Sequence, residues 1–334
     1  MRQGPKICLS PSGFPEWGAP PPHKHGLVMS MKLRPRGAAC LLLCGLLIWF
    51  LADAAQVRSA AAAGLLLCGR SVIPALFPFM AASTMLVSLG FGQWAAPRLA
   101  GLMNLSRLPG PAGSALLLGL VGGYPIGART AAELHKKGLL TAGEAERLLG
   151  FCNNSNPVFL ISVLGGGVFG SPRIGVYLWL IHILSALLAG FFFRGSGKPS
   201  RRQPLPRLVP CQAVSLPSAF VGGVRSACGS MAAVCGFVVF FYVLASPLAR
   251  LGGTLGAGLG GVLELFSLTP LLAADRLGFV LASACAGWGG VSILCQTAAV
   301  LEDSGLRLRN CAAGKAVQGL LAGGLAAAAS AFLF

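Results

Sequence analysis

The chain has 334 residues, 55% of them hydrophobic and 10% charged, with 26 lysines and arginines against 9 acids, for a net charge of +17. A soluble domain carries about 25% charged residues, and a mean hydropathy of +0.75 leaves too little polar surface to cover a globule in water. Composition excludes a water-soluble fold and points to an all-α polytopic membrane protein.

In chain order, residues 1–36 form a basic, Pro-rich segment with Arg2, Lys6, Lys24, Lys32, Arg34 and Arg36 against Glu16. Lysine and arginine excess beside a span marks the cytoplasmic side. From Met31 a basic start and an apolar run resemble a signal sequence ending near Ala52-Asp53-Ala54. Its near-span length and the spans that follow favour an uncleaved first helix. Apolar segments over 37–52, 60–90, 112–121, 157–170 and 174–193 make a first transmembrane half, residues 37–193. Pro74 and Pro78, and the glycines at 165–167, interrupt two of them, so some are expected to be half-helices. Residues 194–217 form a second basic, Pro-rich linker with Arg194, Lys198, Arg201, Arg202 and Arg207, again read as cytoplasmic. The second half, 218–334, holds apolar segments over 219–249, 254–274, 277–301 and 312–334. The last is interrupted mainly by Lys315 and Gln318. A span needs about 20 apolar residues, and 174–193 has that length with His182 as its one ionisable group. His182 reads as a packed, neutral residue.

Other chemistries find no support. Most of the eleven cysteines lie inside apolar runs without a CxxC pair, where cysteine behaves as a small hydrophobe. No metal or other cofactor is expected. There is no HExxH or GxSxG, and RGSGK (194–198) lacks the spacing of a phosphate loop, so an enzyme is not expected. The basic linker shows no aromatic or helical pattern suited to nucleic acid.

The informative stretch is GGYPIGARTAAELHKKGL (122–139). Setting it against GGVSILCQTAAVLEDSGL (289–306) gives nine identities in 18 positions, where about two are expected by chance in so Gly-, Ala- and Leu-rich a chain. Each copy follows an apolar run, breaks at paired glycines and restarts as a helix. Corresponding breaks in two halves of a membrane protein point to a binding site between them. The expected architecture is transporter-like: two related halves, each with a broken or re-entrant helix, the breaks facing one another near the bilayer midplane. A helix starting at depth has unpartnered N–H groups and partial positive charge. Gly122, Gly123, Tyr124 and Pro125 in the first copy, and Gly289, Gly290 and Ser292 in the second, are therefore candidate substrate-binding residues. Arg129, one turn into the helix, is an intramembrane charge and so a site hypothesis. Its equivalent, Gln296, offers a neutral hydrogen-bonding group. Arg98 reads as a loop residue. FCNNSNPVF (151–159) adds Asn153, Asn154, Ser155 and Asn156, more polar groups than capping the next helix requires. Glu264, in GGVLELFSLTP, is the acid set deepest in apolar sequence, a ligand for a coupling cation or proton or an ion-pair partner for Arg129.

IPALFPF (73–79), GGYPIGAR, FCNNSNPVF, and GGVLELFSLTP followed by GWGGVSILCQT stand in the order seen in the YlbJ-type sporulation integral membrane proteins, which the chain resembles over about residues 37–334. Those proteins belong to a wider group with a nucleoside-recognition or gate domain. The resemblance implies movement of dipicolinic acid into the developing spore, hence a multi-pass protein of the membrane around the forespore. An alternative is transport of a nucleoside or another small polar solute. A second is a non-transporting assembly factor in spore maturation. The expected partners are a small-molecule substrate and the lipid bilayer, not nucleic acid, and the chain is compatible with a homo-oligomer.

Overall fold

The computed structural model describes residues 35–194 and 214–334. The basic segment 1–34 and linker residues 195–213, which carry the cytoplasmic assignments, lie outside them. Among the described residues all regular structure is helical. Compactness divides the chain after Ala52. The first unit contributes one described helix, α1 (Pro35–Ala52), uncharged beyond Arg36.

The second unit begins with α2 (Ala54–Leu67), which passes through a π-helical turn at Cys68–Val72 into α3 (Ile73–Ser88). A proline inside a helix removes one i→i−4 hydrogen bond. The wider turn lies immediately ahead of Pro74 and Pro78, where the ladder must adjust. There follow α4 (Phe91–Leu105), α5 (Ala112–Gly122), α6 (Ile126–Lys136), α7 (Ala142–Cys152), a π-helical stretch at Phe159–Val168, and α8 (Pro172–Phe192). Arg98, expected in a loop, is on α4, donating to the Trp94 carbonyl at 2.7 Å. Beyond the linker come α9 (Leu216–Ala249), α10 (Gly253–Leu263), a 3₁₀ turn at Phe266–Leu271, α11 (Arg276–Trp288), α12 (Val291–Leu301) and α13 (Arg309–Leu333). Among the described residues, five stretches are long and apolar enough to cross a membrane: Ala54–Ser88, Pro172–Phe192, Leu216–Leu248, Arg276–Ser304 and Arg309–Leu333. In α8 the leucines at 180 and 184 face outward while His182, Ser185 and Ala186 are buried. Polar and small residues turned inward, with large apolar ones outside, are the pattern of a helix bathed in lipid.

The repeat read from the sequence recurs in the backbone. α5 and α11 both stop at a glycine pair, and α6 and α12 are each 11 residues long. Gly123 and Gly290, 167 positions apart, both have positive φ (80° and 92°), as do Gly138 and Gly305 (71° and 69°). Thr130 and Thr297 each donate to the carbonyl four residues back, Ile126 and Ile293. The resemblance extends outward: α7 and α13 begin at equivalent positions, Ala142 and Arg309.

The two copies are antiparallel. Cys68 lies against its own equivalent, its Sγ 3.9 Å from the Cys235 carbonyl. On one side of that contact Gly64 abuts Val239 and Tyr242; on the other Gly223 abuts Met85 and Ala81. α9 therefore runs back along α2–α3, and Arg250 at its end bridges to Asp53 at the start of α2 at 3.3 Å. Equivalent segments crossing head to tail describe an inverted repeat. One apolar core spans both copies, with Leu76, Phe159 and Leu164 packed among Val238, Leu268 and Phe279. The Phe159 and Phe266 rings meet edge to face at 4.6 Å.

This arrangement places the end of α3 and the start of α9 at one surface, and the end of α9 at the other. With single cysteines in a cysteine-free chain, an impermeant thiol reagent should label Leu89→Cys and Thr254→Cys from opposite sides of the membrane. Labelling of both from the same side would contradict the inverted arrangement.

Candidate functional site

The first break is a tight junction. The Tyr124–Pro125 peptide is cis, Gly123 donates its N–H to the Gly119 carbonyl at 3.1 Å, and Ile126 begins α6 by donating to the Gly123 carbonyl at 2.9 Å. A side chain at Gly123 would strike Asn156, and one at Gly119 or Gly127 would collide with the Cys152 carbonyl. The glycines thus let the polar segment after α7 lie directly on the broken helix. Tyr124 crosses to the second break: its hydroxyl donates to the Ala286 carbonyl at 3.2 Å and lies over Gly289. The two breaks face one another, as the repeat predicts. Gly290 is backed by the Leu263 carbonyl and Glu264 Cα. All four break glycines are buried against protein. The expected role of the Gly123 N–H as a ligand donor is corrected here, since Gly119 already occupies it.

The cavity lies beside the breaks. A space of about 430 Å³ opens between α6, α9 and α12, lined by Pro125, Arg129, Glu133, Phe237, Gln296 and Val300 among others. Of the sequence candidates, Pro125, Arg129 and Gln296 line it, and the last two are repeat equivalents. Arg129 donates from Nη1 to Ser226 Oγ at 3.1 Å and from Nη2 to Ser230 Oγ at 2.8 Å, two hydroxyls one turn apart on α9. It forms no ion pair among the described residues. The alternative in which Glu264 pairs with Arg129 is corrected: the serines hold the guanidinium, and among the described residues no acid lies within ion-pair distance of it, although Glu133 shares the cavity wall. Gln296 is buried, its Nε2 donating to Ser292 Oγ at 3.3 Å while its Oε1 has no partner.

Asn153 to Asn156 do not line this cavity; they form a buried polar bridge between the copies. Asn153 Nδ2 donates to Thr297 Oγ1 at 2.8 Å. Asn154 donates to the Phe151 carbonyl at 2.8 Å and accepts from Gln318 Nε2 at 3.0 Å. The Ser155 N–H donates to His182 Nε2 at 3.1 Å, so that nitrogen is unprotonated, in keeping with the neutral His182 read from the sequence. Asn156 alone caps the next helical stretch, through Phe159 N at 2.8 Å, and reaches the Ala75 carbonyl at 3.4 Å.

At the centre of the bridge is Lys315, 0% exposed. Its Nζ donates to the Asn153 carbonyl at 3.1 Å and to Gln318 Oε1 at 2.8 Å, and lies 5.0 Å from the centre of the Tyr124 ring. Two oxygens and an aromatic face account for three ammonium donors. Lys315 and Gln318 were not singled out as site residues. The available signal was an ionisable group inside a 23-residue apolar run, which deserves a site hypothesis by default.

Glu264 is also 0% exposed. Its Oε2 accepts the Ser267 N–H at 2.5 Å and its carbonyl the Ser267 hydroxyl at 2.7 Å, while Oε1 has no partner. It ends α10 and caps the 3₁₀ turn.

The chain is 28% identical over 301 residues to the sporulation integral membrane protein YlbJ of Bacillus subtilis strain 168, covering 78% of this chain and 74% of that protein. The match supports the YlbJ-type resemblance read from the motifs. No family model matches, and no solved structure matches.

The bridge makes a stability prediction. Gln318→Leu removes one of the two acceptors of Lys315 and the donor to Asn154, and each buried polar group left unpaired costs about 1–3 kcal/mol. The variant should unfold at a clearly lower temperature in detergent, whereas Lys137→Ala, at an exposed helix end, should match the parent. Equal melting of all three would show that the bridge contributes nothing.

Proposed function

We propose, from the premise of a YlbJ-type sporulation membrane protein, that this chain moves a small organic anion across the membrane around the developing spore. By resemblance the solute is dipicolinate, a planar aromatic dicarboxylate. The observation that carries the reading is the unpaired Arg129 at the wall of the 430 Å³ cavity. A guanidinium hydrogen-bonded only to neutral hydroxyls, with no ion pair among the described residues, can meet a carboxylate with paired N–H donors. Across the cavity Gln296 offers a hydrogen-bonding amide, and Phe237 an apolar ring. The role is that of a transporter or facilitator and not of an enzyme, with the solute held where α6 of one copy meets α12 of the other. Movement of one copy against the other would then open the cavity alternately to each side, the mode open to inverted repeats.

Losing a hydrogen bond to a charged group costs about 1.5–3 kcal/mol, which corresponds to about tenfold or more in affinity. In proteoliposomes, flux of labelled dipicolinate should fall by that factor in Arg129→Ala. It should be unchanged in Arg98→Ala, whose guanidinium is exposed and stacks 3.9 Å over the Trp94 ring. Equal flux in the two variants at equal reconstitution would remove Arg129 from the site. Flux of thymidine in place of dipicolinate would favour a neutral solute, and flux of neither would favour an assembly role.

A further inference from the structure

Among the buried charge-bearing groups that the anion reading leaves unused is the Glu264 carboxyl. Four observations about it converge. It is fully enclosed. One oxygen is spent on the Ser267 N–H and the other has no hydrogen-bond partner. Among the described residues no lysine, arginine or histidine forms an ion pair with it. Finally, its backbone is the surface on which the second helix break rests, because a side chain at Gly290 would meet the Leu263 carbonyl at 3.0 Å and Glu264 Cα at 3.3 Å.

The surroundings offer no compensating charge. Besides arginines, the titratable side chains on the elements packed around α10 and the 3₁₀ turn are Cys68 of the π-helical turn, Cys228, Cys235 and Tyr242 of α9, Cys285 of α11 and Cys295 of α12, of which Cys228 is exposed. Phe159–Val168 carries none. Arg70 of the π-helical turn, Arg225 of α9, Arg250 just beyond its end and Arg276 of α11 are exposed. No group of three or more metal-ligating side chains gathers anywhere among the described residues, and the one hydroxyl bonded to Glu264, that of Ser267, is already donated to backbone carbonyls. A carboxylate without a cation, buried in an apolar bundle, is strongly disfavoured relative to its protonated form.

We propose that Glu264 is a proton-binding site at the second helix break. It holds a proton on Oε1 in the packing seen here. It releases that proton to water when the contact between Gly290 and Leu263–Glu264 opens. Ionisation then stabilises the open break and protonation the closed one, so raising pH favours opening. The inference rests on the break's own geometry and is independent of which solute the cavity takes.

Two measurements on the full chain in lipid nanodiscs test it. Infrared spectroscopy near neutral pH should show a carboxylic-acid C=O band that is lost in Glu264→Gln and kept in Glu133→Gln. Glutamine keeps the size and hydrogen-bonding capacity of the protonated acid, so the variant is expected to fold. Hydrogen–deuterium exchange, corrected for the intrinsic pH dependence of amide exchange, should show protection of residues 263–268 and 289–292 falling as pH rises in the parent. In Glu264→Gln that protection should be independent of pH. Absence of the band in the parent, its persistence in Glu264→Gln, or the same pH-dependent loss of protection in both chains would overturn the assignment. Because neither readout involves transport, failure of dipicolinate flux leaves this test standing, and the converse also holds.

Discussion

A helix interrupted inside an apolar bundle releases backbone groups that lipid cannot satisfy, so a break at depth survives only where protein covers it. Here each break is covered by a piece of chain brought from elsewhere. The first is overlaid by the segment Cys152–Asn156, admitted by Gly119, Gly123 and Gly127. The second is met by the Tyr124 ring on one side and by Leu263–Glu264 on the other. The buried bridge of Asn153, Asn154, Lys315 and Gln318 ties down the first of these covering segments, sets Lys315 against the Tyr124 ring, and joins the end of α7 in one copy to α13 of the other. Close approach makes this possible: a side chain at Gly314 would run into the Gly150 carbonyl.

Inversion brings equivalent positions together, and the residues that differ between the copies make the two walls unlike. Equivalent residues meet around the cavity, yet one copy presents Arg129 and Glu133 where the other presents Gln296 and Val300. The cavity is therefore polar and charged on the α6 side and largely neutral on the α12 side. A solute with a carboxylate at one end and an apolar body would be oriented by that difference, because both cationic groups of the wall, Arg129 and Lys136, lie on the α6 side.

Much of this was legible in the sequence, because the signals were local. Paired glycines mark both breaks, the nine identities mark the repeat, and the prolines at 74 and 78 mark the irregular turn in the first long helix. What could not be read depends on contacts between residues far apart in the chain. Asn153 and Lys315 are 162 positions apart, and no periodicity announces their meeting. The amides of 153–156 suggested a substrate site because their true partners, on α8, α12 and α13, are invisible locally. Likewise the pairing of Glu264 with Arg129 was a reasonable match of opposite charges, but Ser226 and Ser230 hold the guanidinium. Antiparallel packing of the copies was also beyond the sequence, since a repeat has the same residues whichever way it runs.

The central claim is that the unpaired Arg129 makes the cavity an anion site. Equilibrium titration of the purified full chain with dipicolinate and with its neutral diamide addresses it most directly. The account predicts saturable binding of the dianion, no comparable binding of the diamide, and loss of the dianion's binding in Arg129→Gln. Equal binding of the two compounds, or dianion binding unchanged in Arg129→Gln, would contradict it.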